Sequence, residues 1–138
     1  MATWQQFEEE APRLAAAVRA RFEAHRHHVL ATLRKDGSPR VSGTEARIRD
    51  GQLTLGSMPG AVKARDLRRD ARFALHANPG DGSMDGGDAK VAGRAVEVAD
   101  HAFRLELTEA VLTSVQDGER LLIQLWRPGS AVREIRRS

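Results

Sequence analysis

The chain has 138 residues, 41% of them apolar and 30% charged, a balance that excludes disordered and fibrous proteins and fits one domain covering residues 1–138. Its 22 basic and 19 acidic residues leave a net charge of +3, so a pI near 10.1 is weak support for a nucleic-acid partner. There is no cysteine, which removes disulfides, thiolate nucleophiles and Cys-type zinc or iron–sulfur sites, and leaves any redox role to a bound cofactor. No apolar run is long enough to span a bilayer, and no signal-peptide pattern opens the chain, so a cytoplasmic protein without membrane contact is expected.

Residues 3–24 have a helical period. Trp4, Phe7, Ala11, Leu14, Val18 and Phe22 fall on one face. Thr3 and Gln6 stand at capping-box spacing, and Pro12 predicts a kink or a division into two short helices. The helical segment as a whole is placed at about 3–27. From Val29 the period changes to that of strands. Expected strands are 29–33, 40–49, 52–57, 73–77, 91–98, 103–115 and 121–126, with a short edge strand within 131–137. Asp50-Gly51 and Asp117-Gly118 are hairpin signals. A basic helix is expected from Ala61 to Arg69, and 78–89 is a flexible acidic loop. The sum is a mainly β chain with helices (α+β), and six or seven strands joined by short loops suggest a small antiparallel barrel.

Two segments carry candidate chemistry. Leu55 to Asp70 runs strand, Pro-Gly turn, helix. The helix start offers unpaired N–H groups, Ser57 adds a hydroxyl and Lys63 an ammonium, which together form a phosphate cradle. The alternative is a solvated basic helix after a Pro-Gly break. Neither a Walker A nor a Gly-x-Gly-x-x-Gly spacing occurs. The second segment is Arg40-Val41-Ser42-Gly43-Thr44-Glu45. Its small residues let a flat ring approach the backbone, and Arg40 is placed to reach an anionic group. An ordinary half-buried strand with a glycine bulge is the alternative. His25, His27 and His28 lack a carboxylate at ligand spacing, so no metal site is assigned.

The order of three segments matters more than any one. Val29-Leu-Ala-Thr-Leu-Arg-Lys-Asp-Gly-Ser-Pro-Arg-Val41, then Asp50-Gly-Gln-Leu-Thr-Leu-Gly56, then Lys63-Ala-Arg-Asp-Leu-Arg-Arg-Asp-Ala-Arg-Phe-Ala-Leu75 resembles the pyridoxamine 5'-phosphate oxidase-like family. The resemblance covers residues 25–98 and continues more weakly through Phe103–Thr108 and Trp126–Gly129.

The resemblance implies a six-stranded antiparallel split β-barrel of the FMN-binding type, forming a homodimer with the cofactor between subunits. It places the ring along Arg40, Val41, Ser42, Gly43 and Thr44, and the phosphate around Ser57, Met58 and Lys63. Trp126 is the candidate aromatic to close the cleft, with core or dimer interface as its alternative. The link Ala99-Asp-His-Ala102 is too short for the helix the family often has there, which would leave that wall open. The loop 78–89 is placed to lie over the cleft. Glu45 would repel an anionic ring unless paired with Arg40 or Arg47. His76 and His101 are isolated, and either could line the cleft. The implied function is an FMN-dependent oxidoreductase acting on an unspecified small molecule, with no catalytic side chain assigned. The alternatives are a deazaflavin-dependent reductase (coenzyme F-420) and a non-catalytic flavin- or haem-binding module on the same fold. Nucleic-acid binding is disfavoured, because aromatics are only 4% of residues and no stacking motif is present.

Overall fold

The N-terminal apolar stripe folds as two helices in the computed structural model, which spans residues 1–138. Helix α1 (Trp4–Glu10) and helix α2 (Pro12–Glu23) are separated by Ala11, whose φ of −142° leaves the helical region. Pro12 is the first residue of α2, where a missing N–H costs nothing. Thr3 Oγ1 accepts the Gln6 N–H at 3.1 Å, but the Gln6 side chain donates to Glu10 at 2.7 Å, so half of the capping box forms. The six residues of the predicted face are all buried. Phe7 meets the edge of Trp4 at 5.1 Å and stacks on Trp126 at 4.5 Å, which seats the helices on the sheet.

The remaining elements are β1 (His27–Leu33), β2 (Pro39–Glu45), β3 (Arg47–Arg49), β4 (Gln52–Gly56), α3 (Val62–Arg69), β5 (Arg72–His76), β6 (Asp88–Ala99), β7 (Ala102–Gln116), β8 (Arg120–Trp126) and β9 (Arg133–Arg137). The mainly β class with helices holds. The two predicted Asp-Gly hairpins form with both turn residues left-handed: φ is 52° and 73° at Asp50 and Gly51, and 53° and 75° at Asp117 and Gly118. No helix is long and apolar enough to cross a membrane.

The six-stranded barrel is not what forms. Nine strands make one antiparallel sheet whose path β2-β1-β5-β6-β7-β4-β3 is open. The run 40–49, expected as one strand, breaks at Ala46. Its first part pairs only with β1 and its second only with β4. No ladder joins β2 to β3 or β4, so the two ends of the path stay unpaired and the barrel does not close. Strand β7 is long enough to serve two partners on one edge, β4 along 102–105 and β8 along 110–116. The hairpin β8–β9 therefore branches off the main path, with β9 at an edge as expected.

The β6–β7 ladder shifts register between Ala92 and Gly93, where β6 crosses close over β7. A Cβ on Gly93 would overlap the backbone carbonyl oxygen of Glu106. That oxygen belongs to a central strand and cannot yield cheaply. Gly93→Ala is expected to lower stability by at least about 3 kcal/mol in urea unfolding, against roughly 1 kcal/mol for an ordinary substitution.

Candidate functional site

A groove of about 470 Å³ lies between the far end of β2 and the start of α3, lined by His27, Gly43, Thr44, Glu45, Gly56, Ser57, Met58, Ala61 and Lys63. A second hollow of about 370 Å³ continues it past Glu45, Gly56, Ser57 and Met58 to Arg47 and Thr54. Both fall in the range of roughly 300–1,000 Å³ usual for small-molecule sites. The groove opens where the sheet path ends, because the gap between β2 and β4 has no ladder to fill it.

The position of α3 follows from one buried carboxylate. Asp66 is 1% exposed. It accepts the Thr32 hydroxyl from β1 at 2.8 Å, Arg40 Nε from β2 at 2.8 Å and Arg69 from α3 at 2.9 Å. Burial alone would raise its pKa, but these three donors outweigh it and hold the carboxyl below its ordinary value. Arg40 is thus oriented by Asp66 through Nε, which leaves the other N–H groups of its guanidinium without a partner in the chain. With the helix pinned, Lys63 in its first turn reaches back to β2, and its ammonium donates to the Gly43 carbonyl at 2.9 Å. Lys63 has no carboxylate within ion-pair distance, and partial burial lowers its pKa.

The N-terminus of α3 beside Lys63 is uncapped: Ala61 precedes it, with no side-chain hydrogen bond to the first N–H groups. Ser57 completes this end of the groove. Its N–H donates to the His101 carbonyl at 2.8 Å, and its Oγ lies 2.9 Å from His101 Nδ1. The short β6–β7 link holds no helix. It is a tight hairpin whose His101 packs behind Ser57.

Along β2 the side chains alternate. Val41, Gly43 and Glu45 face outward and are exposed, while Arg40, Ser42 and Thr44 turn inward. A Cβ at Gly43 would stand in open space, so the packing of this chain does not require the glycine. Ser42 Oγ is buried with no hydrogen-bond partner. Glu45 pairs with neither Arg40 nor Arg47; it lies 3.7 Å from Arg26 and 3.8 Å from His27.

Of the sequence-predicted residues, Gly43, Thr44, Ser57, Met58 and Lys63 converge on the groove. Val41 and Ser42 lie further along β2, and Arg40 is held by Asp66. Trp126 is not brought there: it is 0% exposed and stacked on Phe7. The loop before β6 is tied to α2 by Arg21, which donates to the carbonyls of Asp85 at 2.6 Å and Pro79 at 3.4 Å, and does not cover the groove. His28 is buried against Phe22, accepts the Asn78 N–H at 2.9 Å, and has its pKa lowered by burial.

Sequence reasoning missed Asp66 and His27; His101 it offered, with His76, only as a candidate to line the cleft. An acid beside Leu67 in an Arg-rich helix carries no mark of burial, and a histidine in a four-residue link carries no mark of what it faces.

A family model described as pyridoxamine 5'-phosphate oxidase matches residues 14–125, and the chain belongs to this family. No curated protein matches it in sequence. Among solved structures it is similar to a pyridoxamine 5'-phosphate oxidase-related, FMN binding protein of Nostoc punctiforme PCC 73102. The TM-score is 0.67 at 10% identity, covering 93% of this chain and 96% of that one. It is also similar to PhzG from Burkholderia lata 383, solved in complex with tetrahydrophenazine-1-carboxylic acid (TM-score 0.66, 14% identity, 92% and 89% covered). A heme binding protein from Mycobacterium smegmatis gives a TM-score of 0.54 at 18% identity, covering 87% of this chain and 57% of that one. At these identities the likeness is one of fold.

Asp66→Asn removes the charge while keeping the shape. It is expected to cost roughly 3 kcal/mol, because two guanidinium groups lose their carboxylate in a buried site. The sign with pH follows from the lowered pKa. The wild-type advantage is complete above about pH 5, clear of the unfolded carboxyl range, and is lost as pH falls through the lower folded value. Urea unfolding of both proteins at neutral and acid pH checks this: the stability gap should close on acidification.

Proposed function

We propose that the chain is a flavin-dependent oxidoreductase that binds FMN in this groove, with the phosphate at Ser57, Lys63 and the start of α3. The observation that carries the reading is the convergence of an unpaired ammonium, a hydroxyl and uncapped helix N–H groups at one end of the groove. Such an end suits a phosphate dianion. Beside that cation lies the strand at Gly43, whose carbonyl receives the Lys63 ammonium and whose open, flat surface suits a planar ring. The donor set therefore fits the cofactor. When bound, the flavin supplies the hydride or electron transfer. The chain's own residues bind and orient it: Lys63 and Ser57 fix the phosphate, and β2 sets the plane of the ring.

A homodimer belongs to the same proposal. The outer face of β1, β2 and β5 carries Val29 at 44% exposure, Val41 at 69%, and the small side chains of Ala31 and Ala74 in register. A second copy on this face would cover the flat ring site and the unpaired edge of β2.

The test is titration with FMN, followed by quenching of flavin fluorescence, with the deazaflavin coenzyme and haem in parallel. FMN uptake with turnover by a reductant supports the oxidoreductase; uptake without turnover would make the chain a carrier. A chain that takes up none of the three overturns the reading.

Two substitutions sharpen it. Lys63→Ala should weaken FMN binding by roughly 1–3 kcal/mol, about 5- to 150-fold, while riboflavin affinity stays unchanged. Gly43→Val should leave stability within about 0.5 kcal/mol, because the site is open, and weaken FMN and riboflavin alike by at least about tenfold.

A further inference from the structure

We infer that the hollow between the end of α2 and β3 is a substrate site for an organic carboxylate with an apolar body. The role of substrate rests on the cofactor reading above; the anion site itself is independent of it.

The hollow measures about 440 Å³, within the range usual for small-molecule sites. It lies where the chain passes from β2 to β3 at Ala46, with the end of α2 as the facing wall. Part of its lining is apolar: Phe22 is buried, and Ala46 and Ile48 are half-buried. Three guanidinium groups share the space, those of Arg26, Arg47 and Arg49. Arg47 and Arg49 stand two apart on β3 and so belong to one face of the strand.

The charge of the lining is unbalanced. Elsewhere in the chain neighbouring charges pair closely, as Arg68 does with Glu97 at 2.7 Å and Arg72 with Asp70 at 2.8 Å. Two carboxylates line the hollow, Glu23 and Glu45. Glu23 is taken by Arg19, whose Nε donates to it at 3.1 Å. Glu45 stands 3.7 Å from Arg26 and 3.8 Å from His27, too far for a hydrogen bond to either. Arg47 and Arg49 have no carboxylate within ion-pair distance, so their donors are free for a guest. Two like charges on one strand face repel each other. An anion between them removes that repulsion and gains charge-assisted N–H donors in a fork that matches a carboxylate. A cationic guest meets the guanidinium excess instead.

The hollow borders the groove. Glu45 lines both, and Arg47 also lines the continuation of the groove past Ser57. The Glu45 carboxylate disfavours a second carboxylate on its side. The charged end of the guest is thereby kept at Arg47 and Arg49, and its apolar body is the part that faces the groove.

The probe is benzoate, titrated by calorimetry at fixed ionic strength into the protein with and without FMN. Saturable binding is expected. Arg49→Gln should weaken it about tenfold, and Arg47→Gln added to it should abolish it. Arg120→Gln removes the same charge at the start of β8 and should leave benzoate affinity unchanged. All three residues are exposed, so urea midpoints of the variants should match the wild type and show that they fold. Benzamide, neutral and of the same shape, should not bind, and inorganic phosphate should bind at least about tenfold more weakly than benzoate. With FMN bound, benzoate should shift the flavin absorbance. No saturable binding of benzoate overturns the site. Equal weakening by Arg49→Gln and Arg120→Gln overturns its location, because net charge then accounts for the effect. Phosphate as tight as benzoate overturns the apolar body. Benzoate that binds without moving the flavin absorbance overturns the role of substrate. Arg49 lines the hollow and neither part of the groove, which separates the two readings. If FMN is not taken up while benzoate binding depends on Arg49, the cofactor reading fails and the role of substrate with it, and the anion site stands.

Discussion

The carboxylate of Asp66 is the constraint on which the site depends. It collects donors from β1, β2 and α3 in a space closed to water. Its worth lies less in stability than in registration. A buried ion pair roughly balances its own desolvation, whereas a half-made one is costly. The helix can therefore sit in one place only, the place where all three donors are satisfied. Lys63 is three residues upstream on that helix, so its reach to Gly43 is set by the same contacts. Arg40, read from β2 alone as a group that reaches an anion, also takes part through Nε in building this frame.

The unclosed sheet follows from a short break with large effects. A single residue, Ala46, separates β2 from β3, yet the two strands take partners at opposite ends of the path. Chain continuity brings the ends near each other without pairing them. The groove occupies the gap. A closed ladder there would bury Gly43 and Gly56 against each other's strands and leave no room for a planar guest. An incomplete sheet is tolerable because the core lies elsewhere, under α1, α2 and the long strands β6 and β7, where Trp4, Phe7, Leu105, Leu107 and Trp126 are fully buried.

Local chemistry made much of this readable. The apolar stripe through Phe22, the break at Pro12 and the two Asp-Gly turns are short-range signals, and each produced the element it implied. That Ser57 and Lys63 lie beside one groove was also readable, because a turn before a helix places a hydroxyl and an ammonium by local geometry. Closure of the sheet was not readable. It depends on whether Ala46 continues or ends a strand, and nothing in Arg40 to Arg49 marks that residue. Trp126 shows the same limit. An aromatic near the end of a strand suits a cleft or a core equally, and only its partner Phe7, far away in the chain, decides between them. His101 and His76 were equal candidates in the sequence, and only the hairpin, which sets His101 against Ser57, separates them.

The double pairing of β7 bears on how the chain assembles. On one edge it pairs with β6 along most of its length, and on the other its later half pairs with β8, which carries β9 in the next hairpin. Its first half receives β4 from far upstream, just as β1 receives β5. Loop closure favours the near pairings, so the C-terminal meander is expected to zip early and the β4 and β1 segments to dock afterwards. The groove lies where those late, long-range pairings meet. Its backbone amides should then be among the first to exchange with solvent in the native protein, and a bound guest would slow them by bridging β2 and the start of α3.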